Sequence, residues 1–249
     1  MGFLRAWSRS ALRVEIHLTP EIVTKPPGCT CDALINSANA SLVGTKLPYF
    51  PMQDNPPPGL QSSQWGGMEA GSKMFYPVQV VDGHVTALGG SPLRNYLQAL
   101  NEVSDGVRCP VGRAVLSPAL GDLHRYYKVI AHAVAPSRSD VNWRSSLEGC
   151  YRDALEQLWF PKRQPKEEDD SSDGWRHAVP ARVVATPILG AGANLASAGE
   201  AAQVAATVLA SIEPPPPPGT DGSSQWVVRF GLLEKDTAEE LAAALDSVL

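Results

Sequence analysis

The stretch Asp32-Ala33-Leu34-Ile35-Asn36-Ser37-Ala38-Asn39-Ala40-Ser41-Leu42 constrains this chain more than any other. Ala33-Leu34-Ile35 reads as a short buried strand entered at Asp32. The strand runs into two asparagines three residues apart, Asn36 and Asn39, separated by small residues. Asparagine has poor strand propensity, and its amide must be paired when it is buried. Two of them at the C-terminal tip of an apolar strand therefore require a cause. In an open α/β sheet, ligands sit in the crevice beyond the strand tips. The plainer alternative is a polar turn in which Asn36 bonds its own backbone.

The chain has 249 residues, enough for one large domain or two small ones, and its 43% hydrophobic content supports a packed core. Its 22 prolines predict irregular inserts. A net charge of −5 argues against a duplex nucleic-acid binder, which needs a basic face to displace counterions. An anionic nucleotide could still be held by backbone N–H groups at a helix N-terminus. Cys29, Cys31, Cys109 and Cys150 lack C-x-x-C spacing, so neither a metal site nor a disulfide framework is indicated, and reduced thiols in a cytoplasmic or nuclear protein are expected. No apolar run reaches the roughly 18 residues a membrane span needs. Arg5, Arg9 and Arg13 faintly suggest an organelle transit peptide, but the first strand begins almost at once at Val14.

In chain order, Arg13 to Leu18 alternates like a half-buried edge strand. Residues 44–88 form a Pro/Gly-rich insert, within which Phe75 to Val85 suggests a hairpin turning at Asp82-Gly83. A helix is predicted from Pro92 to Val103. Strands are predicted at 14–18, 32–36, 113–118, 127–134, 181–188 and 226–233, and further helices at Ser145–Phe160, Ala198–Ile212 and Asp236–Leu249. An acidic loop at 161–176 and a Pro-rich link at 213–224 interrupt them. His132, in an apolar run, reads as a satisfied core histidine rather than a base.

Gly190-Ala191-Gly192-Ala193-Asn194 lies between a predicted strand and helix, where small residues let backbone N–H groups converge on a pyrophosphate. A Rossmann NAD site is the rival reading, but this loop lacks the third glycine of that fingerprint. Gly66 to Lys73 is only a near miss to a phosphate-binding P-loop.

The Asp32–Asn39 stretch resembles the segment DAIVNAAN that marks the macrodomain family of ADP-ribose-binding modules. Cys109 to Leu116 is similar to that family's CPTGEAVIT strand entry, and Tyr127 to Pro136 to its YVIHTVGP central strand. The resemblance implies one domain over 1–249, a three-layer α/β/α sandwich around a mixed six-stranded sheet. It implies binding of ADP-ribose or ADP-ribosylated proteins; a monomer with no cofactor, no metal, no duplex nucleic acid and no membrane is the accompanying expectation. By the same resemblance Asn36 shapes the loop and Asn39 faces the distal ribose. Glu21, with Ile22 beside it, takes the place of the Asp that accepts from the adenine amine. Gly89 and Gly90 take the place of the loop GGGGVD, and Gly190, Ala191, Gly192, Ala193 and Asn194 that of the second ligand loop. Family members that hydrolyse ADP-ribosyl esters carry an acid in the first loop, where Arg94 stands here. Arg keeps its proton and cannot serve as a base. The resemblance therefore favours a reader over a hydrolase, with Glu69 the one candidate acid, and leaves a degenerate scaffold as a further alternative.

Overall fold

The computed structural model describes residues 2–44, 81–160, 180–191, 194, 196–216 and 225–249. Seven strands form one mixed sheet: β1 (Gly2–Arg9), β2 (Leu12–Leu18), β3 (Ala33–Ser37), β4 (Ala114–Pro118), β5 (Val129–Ala133), β6 (Val183–Thr186) and β7 (Trp226–Leu232). Their spatial order is β1-β2-β7-β6-β3-β5-β4. The five inner strands run parallel, and the two edge strands, β1 and β4, run antiparallel to their neighbours. Four α-helices, α1 (Val81–Ala99), α2 (Trp143–Trp159), α3 (Ala198–Ser211) and α4 (Lys235–Asp246), and a short 3-10 helix at Gly121–Arg125 complete the described fold.

Both faces of the sheet are covered, which gives the expected three layers. Strand alternation sends Ala33 and Ile35 to the face packed by α2, α3 and α4, and sends Leu34 and Asn36 to the face packed by α1. The larger core contains Trp159 and Trp226, whose rings lie 6.0 Å apart, together with Leu147, Leu155 and the alanine face of α3. Alanine at 201, 202, 205 and 206 lets that helix lie close to its neighbours.

Three expectations are corrected. The sheet has seven strands rather than six, because Gly2–Arg9 forms β1 and pairs antiparallel with β2. β2 is consequently an inner strand, and Glu15 and His17 on it are buried rather than solvated. They tolerate burial because Arg13, Arg229 and His17 surround the Glu15 carboxylate. Third, α1 starts at Val81, so Asp82-Gly83 is its first turn rather than a hairpin, and the insert ends before that point. Pro92 follows a kink at Gly90 (φ 55°, ψ −149°), where the helix axis breaks before it continues. The rest of the expected hairpin, the acidic run at 167–170 and most of the Pro-rich link lie outside the described residues.

Candidate functional site

The parallel strands β2, β7, β6, β3 and β5 all end on one edge of the sheet. That edge carries the segments that follow Leu18, Ser37, Ala133 and Thr186. The first turn of α1 packs against the tip of β3.

Asn36 is fully buried, and its amide Nδ2 donates to Asp82 Oδ1 at 2.7 Å. The same nitrogen lies 3.3 Å from His132 Nδ1 on β5. His132 Nε2 lies 2.9 Å from Ser117 Oγ, whose hydroxyl donates to the Pro118 carbonyl at 3.1 Å. These bonds are mutually consistent only if Nε2 carries the imidazole proton and Nδ1 accepts from Asn36. Burial pushes the His132 pKa down to about 4, so the ring is neutral at physiological pH. Asn36 thus spends both its N–H bonds on Asp82 and His132, and its buried Oδ1 has no partner among the described residues. His132 is a satisfied core residue, as its apolar surroundings imply, and it also fixes which way the Asn36 amide points.

Asp82 is a residue of this candidate site that the sequence reading does not pick out. It is 4% exposed, on the first turn of α1, and shares a concavity with Ala38, Leu42, Gly44, Thr86 and Arg94. The signal was present in Val81-Asp82, the last two letters of the pattern GGGGVD. A following glycine made it read as a turn instead. Gly89 and Gly90 do not form a loop over the crevice. Gly89 is buried in α1, where an added Cβ would come within 2.4 Å of Leu93, while Gly90 lines the concavity at the kink. Arg94 lies beyond the kink and lines the same concavity as Asp82.

Asn39 is exposed, and its Oδ1 accepts from Ser41 Oγ at 2.9 Å and from Val43 N–H at 3.3 Å. The loop it shapes is anchored on both sides. Ala38 N–H donates to the Ala133 carbonyl at 2.8 Å, Cys109 N–H to that of Ala40 at 3.0 Å, and Gln98 Nε2 to that of Leu42 at 3.2 Å. Gly44 (φ +81°) ends it against Thr86, where a Cβ would come within 2.4 Å of the hydroxyl.

Glu21 stands in the segment after β2. Oε1 accepts from Val23 N–H and lies 3.1 Å from His84 Nδ1, while Oε2 accepts from the Thr24 hydroxyl and from Thr24 N–H at 2.7 Å. Burial raises the Glu21 carboxyl, but the hydrogen bonds from His84, Thr24 and Val23 outweigh it and hold the pKa at about 2. Ile22 is buried, and its carbonyl accepts from Tyr127 OH at 2.5 Å.

The segment after β6 is held from beneath. Leu189 N–H donates to Tyr151 OH at 2.7 Å, and Gly190 (φ +83°) packs on Leu147. Ala191 bridges to Ala196, and Asn194 Nδ2 reaches the Ala135 carbonyl at 3.3 Å. Arg138 N–H donates to the Asn194 carbonyl at 2.7 Å. Ser197 and Glu200 form a reciprocal cap on α3. Gly192, Ala193 and Glu69 lie outside the described residues. Among the described residues, no group of His, Cys, Asp and Glu could hold a metal ion, and no helix is long and apolar enough to cross a membrane.

The model of one protein family, described as Macro domain, matches residues 70–205. No curated protein sequence matches the chain. Among solved structures, the Oceanobacillus iheyensis macrodomain with ADP is similar at a TM-score of 0.63 and 17% identity, over 99% of this chain and 97% of that one. The same macrodomain with MES gives 0.61 and 18%, over 98% and 95%. A Trypanosoma brucei macrodomain in complex with ADP-ribose gives 0.51 and 14%, over 92% of this chain and 68% of that one. At such identities the likeness is one of fold.

Proposed function

This chain belongs to the Macro domain family, and we propose on that premise that it binds ADP-ribose at the C-terminal edge of its sheet. The observation that carries the proposal is the buried Asn36–Asp82 pair at the tip of β3, beside the anchored loop 38–44. Relatives of the same fold were solved with ADP and with ADP-ribose. In this reading Asn39 and Asp82 serve the distal ribose, Gly190–Asn194 serve the pyrophosphate, and the Glu21–Ile22 segment borders the base. The natural targets are ADP-ribosylated proteins, bound by a monomer.

Calorimetry with ADP-ribose tests this directly. Asn39→Ala should weaken binding by about 1–3 kcal/mol, the cost of leaving a buried hydroxyl without its partner. No heat with the parent protein would overturn the assignment.

A second reading, hydrolysis of an ADP-ribosyl ester, is favoured by Asp82. A carboxylate on the first turn of α1, held by Asn36, supplies the acid that Arg94 cannot. Losing a positioned acid or base typically removes about 10²–10⁴-fold of rate. The assay is release of ADP-ribose from a mono-ADP-ribosylated protein. If the parent releases it and Asp82→Asn loses that factor, the chain is a hydrolase. If Glu69→Gln is the variant that fails, the acid is Glu69. An inert parent that still binds ADP-ribose is a reader.

A further inference from the structure

The Glu21 carboxylate is already fully used within its own fold. A carboxylate offers about four acceptor positions. Val23 N–H and His84 take those of Oε1, and Thr24 N–H and the Thr24 hydroxyl take those of Oε2. The neighbouring carbonyls are committed as well. That of Glu21 accepts from Thr19 Oγ1 and from Lys25 N–H, both at 3.2 Å, and that of Ile22 accepts from Tyr127 OH. An exocyclic amine could reach Glu21 only by displacing a backbone N–H of its own turn or the His84 ring. His84 lies two residues from Asp82 on the first turn of α1. The Glu21 carboxylate therefore ties the segment after β2 to the helix turn that carries Asp82.

We propose that Glu21 is a latch rather than a base reader, and that the site takes a purine nucleoside diphosphate ribose whether carbon 6 bears an amino or an oxo group. The proposal rests on the ADP-ribose reading above and adds its base selectivity. A carboxylate aimed at position 6 would accept from the amine of adenine and repel the oxygen of hypoxanthine. A hydrogen bond to a charged acceptor is worth about 10–100-fold in affinity. A carboxylate whose acceptors are filled from within its own fold confers none of that discrimination.

The experiment is calorimetry of the whole chain with ADP-ribose and with inosine diphosphate ribose, at one pH and salt concentration. The two affinities should agree within about threefold, since no charged hydrogen bond separates them. His84→Ala empties one position on Oε1 and should shift the ratio toward ADP-ribose by about tenfold. A parent that prefers ADP-ribose by tenfold or more overturns the latch while leaving the binding reading intact. An unchanged ratio in His84→Ala also overturns it. If neither ligand binds, the binding reading falls and takes this inference with it.

Discussion

Replacing Asn36 by Asp probes the buried pair with almost no change of volume. Asn36 is fully buried and Asp82 is 4% exposed, so neither carboxylate of the variant would be well hydrated. The substitution removes the 2.7 Å amide bond to Asp82 and sets two like charges at that distance. A charge-assisted bond is worth about 1.5–3 kcal/mol. Breaking a buried charged contact by changing one member costs about 3–5 kcal/mol. At pH 8 the variant should therefore lose about 3–5 kcal/mol in urea denaturation. Two carboxyls that share one site raise the pKa of one of them above its unfolded value. A raised folded pKa means that the penalty grows as pH rises from the unfolded value through the folded one. Between pH 8 and pH 5 the loss should accordingly shrink, by up to about 1.4 kcal/mol per unit over the range in which the proton is shared. Adding Asp82→Asn to Asn36→Asp exchanges the partners and restores a donor facing a carboxylate. Ser117 can then turn its hydroxyl toward Nε2, leaving Nδ1–H to serve the new carboxylate. The double variant should recover at least about 1.5 kcal/mol relative to additivity. A loss independent of pH, or a double variant that is simply additive, would refute the pairing.

Arg229→Met should cost about 2–3 kcal/mol at pH 7, below the full loss of a buried pair because Glu15 keeps Arg13 and His17. Burial raises the Glu15 pKa, but hydrogen bonds from His17, Arg13 and Arg229 bring it to about 2; its stabilisation is thus present above its ordinary 4.5 and lost as pH falls toward 2. The gap between parent and variant should narrow over that window in denaturation at pH 7 and pH 3.5, and a gap that widens would refute it. Among the thiols, Cys29 is exposed, while burial pushes Cys31 up to about 11 and Cys109 and Cys150 up to about 12. Ellman's reagent at pH 8 should find one fast thiol in the native protein and four after denaturation, and a second fast native thiol would contradict that burial.

The elements legible in the sequence are those whose side chains reveal their burial. β3, β5 and β7 are apolar runs, and α2 and α3 carry apolar residues at helical spacing, so each was predicted close to its observed position. β1 has no such signature. Phe3 and Leu4 are exposed, and arginines interrupt the strand at 5 and 9. It is held by its backbone ladder to β2 and by Arg5 and Trp7, both of which reach Asp246 on α4. Neither interaction leaves an alternating pattern to read. β2 was placed at the edge because Glu15 and His17 look solvated. Arg229, the partner of Glu15, is contributed by a strand 214 residues away, which no local window contains.

The site was legible on one side of the insert and obscured on the other. Asn36 and Asn39 stand out by strand propensity and by the family resemblance, and their observed bonds differ from each other. Asn39 closes the turn of loop 38–44, while Asn36 reaches across to α1 and β5. Asp82 escaped because 46 residues separate it from Asn36, and Asp-Gly reads locally as a turn. Separation along the chain is by itself a weak obstacle to such a pair. Each doubling of a flexible loop costs only about 0.6 kcal/mol. One charge-assisted bond of about 1.5–3 kcal/mol exceeds two such doublings. A break in sequence spacing is therefore weak evidence that a site has been lost. Stronger evidence comes from whether the residue that returns after the break can meet the one that preceded it. Here Asp82 does, at 2.7 Å from Asn36.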